Sequence, residues 1–175
     1  MKTKLNDLLK EKKTTVKEAF KIFDELEPAT VDFMIGQWKG SSIYTENQLD
    51  GELEKTGWYG KKFITLEEVH PLLYFTEDGK GIFSVNPTSL MGKTKEEKKK
   101  FSSKEPTKKS RARLRATEYR GKLCATMIYD ELAILDIFVK IDENKALGVM
   151  DLKEDRTPFF FLLERDDHST LKLEI

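Results

Sequence analysis

A succession of short segments rich in β-forming residues constrains the fold of this chain more than any other feature. Turn signals separate these segments, and the dipeptide Asp78-Gly79 between two of them is typical of a hairpin. The candidate strands are 36–40, 58–65, 69–76, 81–85, 110–119, 122–129, 133–141, 146–152, 159–165 and 170–175. Short strands on short connections indicate an antiparallel meander, and closing such a sheet removes its unpaired edges. We therefore predict a mainly β fold, an antiparallel barrel of about nine to ten strands.

The first 27 residues predict a helical segment ahead of this barrel. Thr15 with Glu18 three positions later forms a capping-box pattern, which marks the start of a helix. Apolar residues then recur at three- and four-residue steps, so that one face carries Val16, Ala19, Phe20, Phe23 and Leu26. Leu5, Leu8 and Leu9 form either an earlier helical turn or a frayed start, and Pro28 ends the pattern. We expect one domain over 1–175, with the helical segment at 1–27 and the barrel at 36–175.

Charge is balanced over the whole chain but uneven along it. The 31 Lys and Arg residues match 31 Asp and Glu residues, and this balance argues against a nucleic-acid partner. Residues 93–115 hold eleven basic and three acidic residues, a local excess of +8. We expect the Lys-rich stretch 93–109 to be a mobile basic loop, which is either solvated or in contact with an acidic partner.

Cysteine, histidine and apolar content exclude several classes of protein. The single cysteine, Cys124, rules out an intrachain disulfide, and two distant histidines make no zinc signature. No apolar run approaches the roughly 20 residues that span a bilayer, and the N-terminus has no signal-peptide core. We therefore expect a cytoplasmic protein with no transmembrane segment and no metal site.

Strand alternation places charged side chains on largely apolar faces. Asp136 and Asp151 each share a strand face with aliphatic or aromatic residues, whereas Arg113 and Arg115 share a face with Arg111. One alternative is that the arginines form a solvated face. The other is that Arg113 or Arg115 turns inward and meets Asp136 or Asp151, because an unpaired buried charge is costly. Such a cluster could hold a ligand carboxylate or phosphate through the guanidinium fork.

The remaining candidates are histidines and aromatic residues. His70 precedes Pro71, which favours an extended backbone, and it is a ligand, a titrating group or a structural histidine. His168 follows two aspartates and indicates a surface turn. Trp58 and Tyr129 belong to the core or rim, and we expect some aromatic residues to line any cavity.

The segment Gly36-Gln37-Trp38-Lys39-Gly40 resembles the signature of the GXWXG family. Further stretches are similar to the companion domain that usually follows it, the domain of unknown function 4334. These stretches include Gly57-Trp58-Tyr59-Gly60-Lys61, His70-Pro71-Leu72-Leu73, Ala112-Arg113-Leu114-Arg115, Met127-Ile128-Tyr129-Asp130 and Met150-Asp151-Leu152-Lys153. The resemblance covers about residues 18–166 and implies no assigned activity. The Lys-rich stretch departs from it, so we do not expect that stretch to belong to a shared site.

A second resemblance is to the calycins, which include lipocalins, fatty-acid-binding proteins and nitrobindins. In those barrels a Gly-x-Trp element after a short helix opens the first strand, and the tryptophan closes one end, often beside an arginine from a late strand. The resemblance implies that Trp38 is such a plug and that Gly36 and Gly40 permit close backbone approach. Nitrobindins bind haem through a histidine near the last strand, where this chain has His168.

We expect a lipocalin-like (calycin) barrel that binds a small apolar molecule with a polar or acidic head group. The predicted ligand-binding residues are Trp38, Trp58, His70, Arg113, Arg115, Tyr129, Asp136 and Asp151. Three alternatives stay open. The first is a haem protein using His70 or His168, and the second is an enzyme using Asp136, Asp151, His70 or Tyr129 for acid–base chemistry. The third is an interaction module that docks through its basic loop, and a homodimer is also compatible with the sequence.

Overall fold

The structure, a computed structural model, describes residues 2–90, 104–153, 155 and 157–174. Most of the predicted basic loop, residues 93–103, lies outside the described residues. No helix within the described ranges is long and apolar enough to cross a membrane.

The N-terminal segment forms two helices where the sequence predicted one helical stretch. The helices of the described residues are α1 (Lys2–Glu11), α2 (Val16–Glu25), α3 (Val31–Met34), α4 (Glu52–Lys55) and α5 (Pro87–Leu90). The predicted cap is confirmed, since the Thr15 hydroxyl accepts a hydrogen bond from the Glu18 amide at 3.2 Å. The chain leaves α1 at Lys12, whose φ is 48°, and then bridges Tyr44 through Lys13.

The strands form one mainly antiparallel sheet. They are β1 (Glu27–Pro28), β2 (Gly36–Ile43), β3 (Trp58–Phe63), β4 (Val69–Phe75), β5 (Ile82–Ser84), β6 (Ala112–Tyr119), β7 (Lys122–Tyr129), β8 (Ile134–Asp142), β9 (Lys145–Leu152), β10 (Phe159–Arg165) and β11 (Leu173–Glu174). The order is β11-β5-β4-β3-β2-β10-β9-β8-β7-β6, while β1 pairs with β8 outside this path.

The predicted mainly β class is confirmed, but the sheet is not a closed regular barrel. Strand β6 returns to β4 through a single residue pair, Val69 with Ala112. The neighbouring strands pair over much longer stretches, such as the eight residue pairs that join β6 to β7.

The sheet has two apolar faces because a different layer covers each one. The inner face forms the larger core, with Trp38, Trp58, Phe63, Tyr129, Phe138 and Phe161 among its buried residues. The other face, on β8, β9 and β10, packs against the N-terminal helices through α2 residues such as Ile22 and Phe23. This second layer explains why the strand at 133–141 is apolar on both sides.

Two glycines allow the close packing of the tryptophans. A Cβ atom on Gly40 would lie 2.2 Å from the Trp58 ring, so the glycine provides the surface on which that ring rests. A Cβ atom on Gly60, whose φ is 151°, would lie 2.0 Å from the carbonyl oxygen of Trp38. Both positions exclude a side chain because the atoms that a side chain would meet are a buried ring and a backbone.

Candidate functional site

A buried ion pair lies within the apolar inner face of the sheet. Lys61 Nζ, on β3, is 2.8 Å from Asp136 Oδ2, on β8, and the two side chains are only 3% and 2% exposed. The same ammonium donates a hydrogen bond to the carbonyl oxygen of Pro71 at 3.1 Å. Asp136 Oδ1 is buried and has no hydrogen-bond partner among the described residues. Charged groups are seldom buried this deeply, which makes the pair the strongest candidate for a site.

Aromatic rings surround the ammonium group. Lys61 Nζ lies 5.1 Å from the ring centroid of Phe161, 5.8 Å from that of Trp58 and 5.9 Å from that of Tyr129. Rings at these distances attract a cation through their electron-rich faces. The lysine is therefore held by three kinds of contact: a carboxylate, a backbone carbonyl and aromatic rings.

A small cavity adjoins the ion pair. Its volume is about 10 Å³, and its lining residues are Leu49, Leu53, Trp58, Lys61, Leu72, Tyr129, Asp136, Met150, Phe159 and Phe161. A space of this size holds about one water molecule, whereas sites for small organic ligands span roughly 300–1,000 Å³. The protein therefore has a polar centre without room for an organic ligand in this structure.

An irregularity in β3 brings Lys61 to the inner face. The β3–β4 register shifts between Trp58 and Gly60 and again between Gly60 and Lys62. Strict alternation from Trp58 would turn Lys61 to the opposite face, but both side chains line the cavity. Gly60 supplies the backbone conformation that the irregularity needs, with its φ of 151°.

Burial opposes ionisation of the acidic groups in this site. Loss of solvation raises the pKa of Asp136, and the neighbouring Lys61 ammonium partly counters that effect. Burial also raises the pKa of the Tyr129 phenol well above its usual value, with the charge of Asp136 adding to the rise. Tyr129 is therefore a neutral phenol near physiological pH.

The segment from Tyr44 to Gly57 contributes Leu49 and Leu53 to the cavity lining. Its helix α4 has no buried residue, and Leu53 and Leu49 are half-buried. The Glu54 carboxylate holds the segment by accepting hydrogen bonds from the amide and the hydroxyl of Ser42. Helix α4 thus buries less than α2 on the other face, where Ala19, Ile22 and Phe23 are buried.

Trp38 lies beside the site. It is fully buried, and its strand register pairs it with Lys61 on one side and with Arg165 on the other. The Arg165 guanidinium carbon lies 4.2 Å from the centroid of the Trp38 ring, and the indole donates to the Met34 carbonyl at 2.8 Å. An arginine from the strand β10 thus packs on the tryptophan.

The hypothesis that Arg113 or Arg115 enters the interior is wrong. Arg113 pairs with Asp130 at 3.0 Å, and Arg115 pairs with Glu67. Their side chains are 47% and 40% exposed, and Arg111 forms a third such pair with Glu131. Acidic residues in the turn after β7 and in the loop before β4 form ion pairs with these arginines at the surface. The cation that pairs with Asp136 in the interior is Lys61.

Asp151 does not meet Asp136 inside the sheet. The β8–β9 register pairs Asp136 with Met150, whose side chain lies in the inner core, and Asp151 is opposite Leu135. Because neighbouring residues of a strand face opposite sides, Asp151 belongs to the helix-covered side, where it is half-buried. The two acids are thus on adjacent strands but on different faces.

His70 is buried on the side of β4 away from the cavity. It is 1% exposed, its Nδ1 lies 3.0 Å from Ser84 Oγ, and its Nε2 has no partner among the described residues. Its neighbour Val69 belongs to the inner core, so the imidazole faces the other way. His168 is exposed in the turn after β10. Neither histidine lines the inner cavity, so the site around Lys61 offers no histidine as an axial ligand for a haem.

We predict that His70 makes the stability of the protein dependent on pH. Burial lowers its pKa in the folded protein below the ordinary value of about 6.5, so protonation favours the unfolded chain. The stability that the neutral His70 contributes is fully present above pH 6.5, and it is lost as the pH falls from 6.5 toward the pKa of His70 in the folded protein. Urea titrations at pH 7 and pH 5 should show a smaller loss of unfolding free energy for His70→Asn than for the unaltered protein. His168→Asn is the matched control, and an unchanged loss in His70→Asn would contradict the prediction.

The interior site therefore combines three predicted residues with one that sequence reasoning missed. Trp58, Tyr129 and Asp136 come together around Lys61, whereas His70, Arg113, Arg115 and Asp151 lie elsewhere. A signal for Lys61 was present, because a glycine within a strand pattern indicates a bulge and Gly60 directly precedes the lysine. Whether any of these residues binds a ligand stays a prediction.

Comparison with known proteins identifies two matching families and one similar structure. A family described as "GXWXG protein" matches residues 21–79, and a "Domain of unknown function (DUF4334)" matches residues 110–165. The crystal structure of a protein from Thermomonospora curvata is 30% identical to this chain, covering 95% of it and 99% of the other chain with a TM-score of 0.74. No curated protein matches the sequence significantly.

Proposed function

The chain belongs to the GXWXG and DUF4334 family, and we propose that it binds a small apolar molecule with a polar head group inside a calycin-like sheet. The observation that carries this proposal is the buried pair of Lys61 and Asp136 in an otherwise apolar interior. Binding pockets for small molecules are largely apolar and contain a few polar groups that fix the orientation of the ligand.

A purely structural role gives a weaker account of this pair. Well-packed apolar residues in place of a buried ion pair are often neutral or stabilising, so the pair adds little to stability by itself. Asp136 Oδ1 also lacks a partner among the described residues, and a buried acceptor in that state is costly. A ligand that donates a hydrogen bond to Asp136 Oδ1 explains the presence of the pair, whereas a contribution to folding does not.

Two features support the calycin-like arrangement: the order of the strands and the packing of Arg165 on Trp38. Strands β2 to β4 and β6 to β10 follow one another around the inner core, and Val69 with Ala112 joins the two ends of this set. Arg165 packs on Trp38, as the resemblance to calycins implies.

Ligand entry requires the segment from Tyr44 to Gly57 to move. The apolar tail of a ligand needs far more than the present volume of about 10 Å³, and Leu49 and Leu53 are the lining residues that belong to this segment. Displacing these two leucines opens a path to Lys61 without disturbing the strands. Moving α4 breaks the hydrogen bonds between Ser42 and Glu54 but uncovers no buried residue of the helix, so the energetic cost is smaller than that of unfolding.

We expect the purified chain to bind at least one of three ten-carbon probes: 1-decanol, decanoate or methyl decanoate. Isothermal titration calorimetry at pH 7.5 measures the affinity. Met150→Trp fills the cavity and should abolish binding, whereas Leu123→Trp adds the same ring at a position that is 66% exposed and should leave binding unchanged. Circular dichroism checks that both variants fold. Absence of binding by all three probes, or binding that Met150→Trp leaves intact, would contradict the proposal.

A further inference from the structure

We infer that the ligand of this site carries a neutral head group that both donates and accepts a hydrogen bond, with a hydroxyl as the simplest case. This inference rests on the proposed function and specifies its ligand class. It follows from the donor of Lys61 and the acceptor of Asp136 that have no partner among the described residues, and from the combined charge of the two side chains.

The acceptor is Asp136 Oδ1. Asp136 lines the cavity, the residue is 1% exposed, and this oxygen is without a hydrogen-bond partner in the described part of the chain. Its partner oxygen, Oδ2, is occupied by Lys61 at 2.8 Å. A ligand group that reaches Oδ1 must therefore bring a hydrogen to donate.

The donor is the third N–H of Lys61. An ammonium group has three N–H donors, and within the described ranges two of them are directed to Asp136 and to the Pro71 carbonyl oxygen. Lys61 lines the same cavity as Asp136. A ligand oxygen that accepts from Nζ while its own hydrogen points to Oδ1 completes the hydrogen bonding of both residues.

Charge favours a neutral head group over an acidic one. Lys61 and Asp136 already neutralise each other at 2.8 Å, so a ligand carboxylate would place a second negative charge in the interior with no cation to balance it. A carboxylate also has no hydrogen to donate to Oδ1. An ester or ether accepts from Lys61 but leaves Oδ1 unsatisfied. A hydroxyl meets both requirements, and its oxygen has the size of the single water molecule that the cavity can hold.

The wild-type protein provides the first test, through the same ten-carbon probes at pH 7.5. We expect 1-decanol to bind about tenfold more tightly than decanoate and than methyl decanoate, because a hydrogen bond to a buried charged group is worth about that factor. Binding of decanoate with equal or higher affinity would overturn the inference while leaving the proposed function standing. Failure of all three probes would overturn the proposed function itself.

Asp136→Asn provides the second test, because it removes the negative charge and leaves Lys61 positive. We expect the preference to reverse, so that decanoate binds about tenfold more tightly than 1-decanol. Asp151→Asn makes the same chemical change on the opposite face of the sheet and should keep the wild-type preference. An unchanged preference in a folded Asp136→Asn protein would show that Asp136 does not select the head group. Should this variant not fold, the wild-type comparison still decides the inference.

Discussion

Lys61→Met is expected to lower the free energy of unfolding by about 3–5 kcal/mol, since breaking a buried ion pair at one partner has an effect of that size. The substitution leaves the Asp136 carboxylate in an apolar interior, where that side chain is only 2% exposed. Protonation of Asp136 relieves part of the penalty, because burial already raises its pKa. Urea denaturation followed by circular dichroism at pH 7 measures the loss.

The double variant Lys61→Met with Asp136→Leu distinguishes a charge effect from a packing effect. Removing both charges should recover most of the loss, because apolar residues of similar volume often replace a buried ion pair without cost. Lys62→Met is the matched control: Lys62 is half-buried on the other side of β3, and its replacement should change stability by about 1 kcal/mol or less. If Lys61→Met were as stable as the unaltered protein, the prediction would be contradicted, because the buried Asp136 carboxylate would not need Lys61 as its partner.

Trp38→Ala is expected to lower the free energy of unfolding by a comparable amount, about 3–5 kcal/mol. The indole is fully buried, packs under Arg165 and against Phe33, and donates a hydrogen bond to the Met34 carbonyl. Alanine leaves a cavity at the centre of these contacts and deprives the Arg165 guanidinium of its aromatic neighbour. The same denaturation experiment measures the effect.

Trp38→Phe separates the ring contacts from the hydrogen bond. Phenylalanine keeps an aromatic ring beside Arg165 but has no N–H, so we expect a loss of about 1–3 kcal/mol, smaller than for alanine. Equal losses for the two variants would indicate that the hydrogen bond to Met34, and not the packing of the ring, is what the tryptophan supplies.

The strand pattern could be predicted from sequence because alternation and turns are local properties. The predicted segments 122–129 and 159–165 coincide with β7 and β10, and the alternation in 133–141 correctly grouped Asp136 with Ile134 and Phe138 on one face. Both faces of that strand are apolar, so the alternation alone did not reveal which one packs against helices. The pattern left open whether a separate helical turn precedes Thr15, since the break between α1 and α2 depends on the bridge from Lys13 to Tyr44.

The cationic partner of Asp136 could not be predicted because its identity depends on tertiary contacts. Three arginines on one strand face are compatible with an inner or an outer position, and the outcome depends on acids elsewhere in the chain, such as Glu67 and Asp130. Lys61 reaches the interior through an irregularity at Gly60, and a shift of one residue moves a side chain to the other face of a sheet. A pattern in the sequence cannot fix such a shift without the partner strand.

The pairing of β2 with β10 has a consequence for the order in which the chain folds. Trp38 pairs with Arg165, so the first long strand of the sheet acquires one of its two neighbours only from near the end of the chain. During synthesis the N-terminal half emerges with that edge of β2 still unpaired. Contacts between residues far apart in sequence also slow folding, because a long loop must close before they form. We expect the hairpins from β6 to β9 to form early, and the sheet around Lys61 to assemble last, when β10 arrives.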